Sequence, residues 1–292
     1  MKTSLRLLCF CSLMGGIALL GASSGAQELE LRTFPSSAPP GYVASLIVGF
    51  AGPVQKAIEE VNVSLVLPEG VASFFGGAVG GRCSNLLDNC YGGVRLSWSI
   101  ARVSPGQRIY FIVPLEVELE DSVSRSEIWF TAVANWRGGG GLVEAEGLRV
   151  GDLVQIADWA STSYSDGLRL EYAMTPLQGS SQEVVVGTLT VVNETERVVD
   201  DAVVRVVVPA GIASFLGGVG SGNCYNLRNN CYPGELLSWE PGPLEGGSRK
   251  SIQLPLKVRS DLESWLGVCA VASAGTVSGS AACVGVSYVR EP

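Results

Sequence analysis

The chain has 292 residues, 47% hydrophobic and 16% charged, with 28 acids against 20 bases, no histidine and a formal net charge of −8. That length accommodates two domains whose cores hold without a cofactor, and the negative sign disfavours nucleic acid and anionic lipid as partners. The lack of histidine removes Ser-His and Cys-His nucleophiles and His-dependent metal sites, so a non-enzyme is expected.

In chain order, Lys2 and Arg6 precede the apolar run Leu7 to Leu20 and the small residues Ser24-Gly25-Ala26, the three-part pattern of a secretory signal peptide over 1–26. No other stretch is long and apolar enough to cross a membrane, so no transmembrane segment is expected after cleavage. Losing Lys2 and Arg6 takes the charge from −8 to about −10. Six cysteines remain, Cys83, Cys90, Cys224, Cys231, Cys269 and Cys283, an even number that suits an oxidising compartment: periplasm, cell surface or medium.

Past the leader, Leu29 and Leu31 alternate with Glu28 and Glu30 as a first strand, which the prolines of Ser36 to Tyr42 break. Val43 to Phe50 is a second. Val61, Val63, Leu65 and Leu67 then mark one face of a third, and Val204, Val206 and Val208 repeat that face in Ala202 to Val208. The stretch Phe74 to Tyr91, FFGGAVGGRCSNLLDNCY, returns 141 positions later as Phe215 to Tyr232, FLGGVGSGNCYNLRNNCY, so the protein is a duplication. Each copy has six residues between two cysteines, which reads as a small disulfide-closed loop, Cys83 to Cys90 and Cys224 to Cys231, contributing roughly 2 to 3 kcal/mol.

After each loop a short strand carries Trp98 or Trp239, most simply core residues. A longer alternation follows, with Phe111, Val113, Leu115 and Val117 on one face and Tyr110, Ile112, Pro114 and Glu116 on the other. Its copy reads Ile252, Leu254, Leu256 and Val258 against Gln253, Pro255 and Lys257. Proline inside it predicts an edge or bulged strand. Two further runs close each copy: Ile128 to Asn135 and Leu142 to Val150 around the Gly138–Gly141 turn, then Val268 to Ser273 and Ala281 to Val289. Cys269 and Cys283 fall in the last two and are expected to bridge them, where alignment gives copy one Thr131 and Glu144.

About seven short strands per copy with period-two patterning and Gly/Pro turns predict an all-β protein, two tandem Ig-like antiparallel sandwiches over 27–157 and 167–292 with a polar linker at 158–166. The strand ending Leu67-Pro68-Glu69-Gly70, the Gly-rich cysteine loop, the following Trp, the turn glycine and the long Val/Leu strand together resemble the Ig-like conserved repeat domains of bacterial cell-surface proteins, a family of unknown function. The resemblance covers about 250 residues in two copies and implies a modular extracellular part, structural or adhesive, with no catalytic residues. The chain departs from it in having two copies and no sorting segment.

Three readings of function follow. The first is a structural or adhesive module contacting envelope protein. The second is a glycan-binding module, for which Trp129, Trp136, Trp159 and Tyr164 are the candidate stacking residues. The third is a periplasmic assembly chaperone, which needs a basic anchor in the interdomain cleft from among Lys56, Lys250 and Lys257. Glu59-Glu60 and Asp200-Asp201 recur at one offset as candidate Ca²⁺ carboxylates, against the simpler reading of a solvated turn.

Overall fold

The computed structural model describes residues 27–69, 71–73, 81–84, 90–117, 127–151, 159–160, 167–176, 184–209, 212–215, 222–224, 231–258, 265–275 and 277–287. The leader 1–26 and Tyr164 lie outside them. Every regular element among the described residues is a strand.

Copy one holds β1 (Glu28–Phe34), β2 (Ser37–Ala38), β3 (Val43–Ala51), β4 (Ile58–Val66), β5 (Val71–Ser73), β6 (Arg82–Cys83), β7 (Arg95–Val103), β8 (Arg108–Val117), β9 (Glu127–Trp136) and β10 (Gly140–Val150). Copy two holds β11 (Trp159–Ala160), β12 (Leu168–Pro176), β13 (Val184–Asn193), β14 (Val203–Val207), β15 (Ile212–Phe215), β16 (Gly222–Cys224), β17 (Leu236–Trp239), β18 (Arg249–Val258), β19 (Trp265–Ser273) and β20 (Ser280–Ser287). Each copy pairs a four-stranded sheet with a six-stranded one: β1-β3-β8-β5 with β2-β10-β9-β4-β7-β6, and β12-β13-β18-β15 with β11-β20-β19-β14-β17-β16. The architecture is two tandem all-β, Ig-like sandwiches. Among the described residues there are ten strand segments per copy rather than seven, because short pieces such as β2 and β6 carry too few residues to show a period.

The break after β1 is a crossing between sheets. β1 pairs antiparallel with β3, and Ser37–Ala38 then runs parallel to the end of β10 in the opposite sheet. In copy two the corresponding edge is taken by Trp159–Ala160, inside the polar stretch read as a linker, which pairs with Cys283 and Ala282.

The core of copy one follows from the alternation. Leu46, Val48 and Phe50 of β3 and Val113, Leu115 and Val117 of β8 meet Val61, Val63 and Leu65 of β4, Leu96 and Trp98 of β7 and Phe130 of β9. Trp98 stacks on Phe111 with ring centroids 4.6 Å apart. Trp98 and Trp239 are both buried, as expected of core residues.

The proline rule needs a correction. β8 and β18 are not edge strands: each lies between a long partner and a short one. The amide and carbonyl of Val117 both bond toward the β3 side, to Tyr42 and Gly41. By alternation the Pro114 nitrogen points toward β5, whose pairing stops opposite Leu115. Pro255 stands likewise one residue past the end of β15, and the β15–β18 pairing is also bulged. Among the described pairings the missing donor therefore costs no ladder bond.

A third apolar cluster joins the two copies. Phe34, Val43, Ile47, Tyr110 and Ile112, on the outer face of the copy-one four-stranded sheet, pack with Val207, Leu236, Cys269, Val271, Ala281 and Cys283 on the outer face of the copy-two six-stranded sheet. Tyr110 and Ile112 are thus the second face of β8, buried by the other sandwich.

Candidate functional site

The six cysteines form three bridges, Cys83–Cys90, Cys224–Cys231 and Cys269–Cys283, with Cα separations of 5.6, 5.2 and 4.1 Å. Cys269 and Cys283 are directly opposed on β19 and β20. In copy one the register opposes Thr131 to Ala145, so the counterpart of Cys283 is Ala145 rather than Glu144. One gap misplaced in a glycine-rich turn accounts for the one-residue slip. Among the described residues the one grouping of three potential metal ligands is Cys224, Cys231 and Glu235. Its two sulfurs are already joined, and the buried Glu235 carboxylate instead accepts from the Tyr232 amide at 3.0 Å, closing the turn after the bridge.

Trp129 and Trp136 do not share a platform. Trp129 is 58% exposed on the outer face of β9. Trp136 lies seven residues on in the same strand, an odd spacing that puts it on the opposite face. Its ring is tilted against Phe50 at 6.3 Å and lies across Gly140, where a β-carbon would clash with the indole. With Lys56, Ile58, Glu59 and Arg137 it lines a cleft of about 230 Å³ at the end of the sandwich. Trp159 enters through its backbone pairing in β11.

The acidic pairs are exposed and partly engaged. Glu59 and Glu60 lie in β4, where Glu60 has a φ of 51° and pairs with Arg137 at 3.0 Å. Asp201 accepts from the Gly275 amide at 2.6 Å. A carboxylate satisfied by a guanidinium or an amide braces a loop without an ion.

The junction between copies is the best-built contact surface. Gln107, 4% exposed, donates through Nε2 to the carbonyls of Gly275 and Val277, each at 3.2 Å, while its Oε1 accepts from the Ser104 amide at 2.9 Å. The Arg108 amide donates to Ser278 Oγ at 3.2 Å, and the Gly279 amide donates to the Arg108 carbonyl at 2.8 Å. Within copy two, a β-carbon on Gly279 would stand 2.5 Å from the Ala272 carbonyl oxygen of β19, so only glycine fits this position at the entry to β20. Sequence reading missed Gln107, since nothing local marks a turn glutamine as a clamp. Apolar side chains fill this junction. Lys250 bonds the Pro241 carbonyl within copy two, and Arg108 pairs with Glu28 at 2.7 Å.

No protein-family model matches the chain, and no curated protein matches it. Among solved structures it is similar to a red sea bream transglutaminase at 11% identity and a TM-score of 0.29, over 90% of this chain and 31% of that one. The chain therefore spans about a third of the length of that protein.

Proposed function

We propose that this is an exported, non-enzymatic component of a cell envelope or surface, a structural or adhesive module working through contact with envelope protein. The observation that carries the reading is the junction: an apolar cluster and four hydrogen bonds join the sandwiches, the arrangement of a spacer that holds its surfaces in fixed relation. Three disulfides suit an oxidising compartment. No helix among the described residues is long and apolar enough to cross a membrane.

The glycan reading keeps one observation in its favour, the exposed indole of Trp129, but it loses the pairing with Trp136. The chaperone reading calls for an open basic cleft, whereas apolar side chains occupy the junction. The test is fractionation of cells making the native protein, with an impermeant thiol reagent applied before and after reduction. The expected result is an envelope or extracellular protein whose cysteines react only after reduction. A cytoplasmic protein with free thiols at Cys83 and Cys90 would overturn the reading.

A further inference from the structure

Register places the two six-stranded sheets in exact correspondence, because Leu65 pairs with Ala132 and Val206 with Ala270. Thus Val66, Thr131, Val133, Val143 and Ala145 of copy one stand where copy two has Val207, Cys269, Val271, Ala281 and Cys283. In copy two those positions are buried beneath a four-stranded sheet face. In copy one the same face is open: Val66 is 45% exposed, Trp129 58% and Val143 67%, with Thr131 and Ala145 also exposed. Val133 is opposed to Val143 and Trp129 to Gly147, so the apolar groups share one surface. Single exposed hydrophobes need no explanation, but a contiguous set on a face that the duplicate buries does.

We propose that this face of copy one is a docking surface for the four-stranded sheet face of a sandwich domain carried by a different protein. The inference rests on the contact-module reading and names its partner class. The occupant is inferred from the chain's own use of the homologous face, which takes aromatic and β-branched side chains projecting from such a sheet. The chain itself cannot supply that occupant to a neighbour. Its copy-one set, Ile47, Tyr110 and Ile112, is already engaged. At the equivalent positions copy two has Thr188, Ser251 and Gln253, as the pairings Ile47 with Ile112 and Thr188 with Gln253 show. Head-to-tail growth is thereby blocked, and a net charge of −8, about −10 once the leader is lost, opposes self-association. Arg95, exposed and opposed to Val66 where copy two has Leu236, adds a positive rim that suits an acidic edge on the partner.

The test supplies the missing face. In the full chain, Ser251→Tyr and Gln253→Ile, both at exposed positions, with Thr188→Ile added in a second version, give copy two the docking side chains of copy one. By sedimentation velocity the native protein is expected to remain monomeric, and the grafted protein to associate head to tail with a dissociation constant of about 10 to 100 µM. Adding Val133→Asp and Val143→Asp should return it to monomer. Mixing native protein with a molecule carrying both the graft and the two aspartates should give a 1:1 complex and nothing larger. If the triple graft does not unfold cooperatively, the double graft is the one measured. A folded graft that stays monomeric, or association indifferent to the aspartates, overturns the proposal. So does a native dimer dissolved by Val143→Asp, which would assign the face to a second copy. These outcomes use purified protein and leave the compartment test independent.

Discussion

Ile112→Asp is expected to separate the two sandwiches while leaving both folded. Ile112 is 2% exposed and belongs to the junction cluster, which shares no residue with the core cluster of either copy. A carboxylate forced into that position without a partner costs about 3 to 5 kcal/mol. The junction opens at that cost because opening hydrates the aspartate and leaves both cores intact. Copy two then loses the cover over Val207, Val271 and Ala281. Its thermal transition should fall below that of copy one, binding of a hydrophobic dye should rise, and the radius of gyration from solution scattering should increase. Ile112→Val, which removes one methyl group, should cost only about 1 kcal/mol and leave the scattering unchanged. Identical melting and scattering for Ile112→Asp and the native chain would show that the junction does not hold in solution.

The paired change Cys269→Ala and Cys283→Ala is expected to destabilise copy two by about 3 kcal/mol, the chain-entropy contribution of a loop of this size. The bridge closes a separation of 14 residues, against 7 for each of the other two. Both cysteines also sit in the junction, so packing is lost along with the link. A midpoint roughly 10 °C lower for copy two is expected. The corresponding change at Cys83 and Cys90 should cost less, roughly 2 kcal/mol, and act on copy one alone. Differential scanning calorimetry on the two variants decides the order, and a larger loss from the copy-one bridge would contradict the placement of Cys269–Cys283 on the junction face of copy two.

Much of the fold was legible because period-two alternation reports directly on burial. Spacing alone puts Val61, Val63 and Leu65 on one face, which is the core face, and the cysteine pairs follow from an even count and a repeated interval. The junction was not legible for the same reason: alternation identifies the face turned toward the core and treats the other as solvated. Tyr110 and Ile112 stand on the face opposite Val113 and Leu115, where nothing local marks the cover that buries them. One signal was available in copy two, where Val268 to Ala272 is apolar at every position, the mark of a strand covered on both faces. Parity also forbade a shared platform of Trp129 and Trp136, which are seven residues apart in one strand. Gln107 left no trace, because its partners are backbone carbonyls about 170 residues away, at Gly275 and Val277.

The central claim is that the two sandwiches form one rigid unit, and a spin-label distance tests it most directly. Ala101→Cys in β7 and Gln253→Cys in β18 place labels at exposed strand positions in different copies, with the three disulfides kept oxidised. A single narrow distance distribution is predicted for this pair, broadening when Ile112→Asp is added. A broad distribution in the protein with Ile112 intact, unchanged by that substitution, would contradict the account and describe two domains moving freely on a tether.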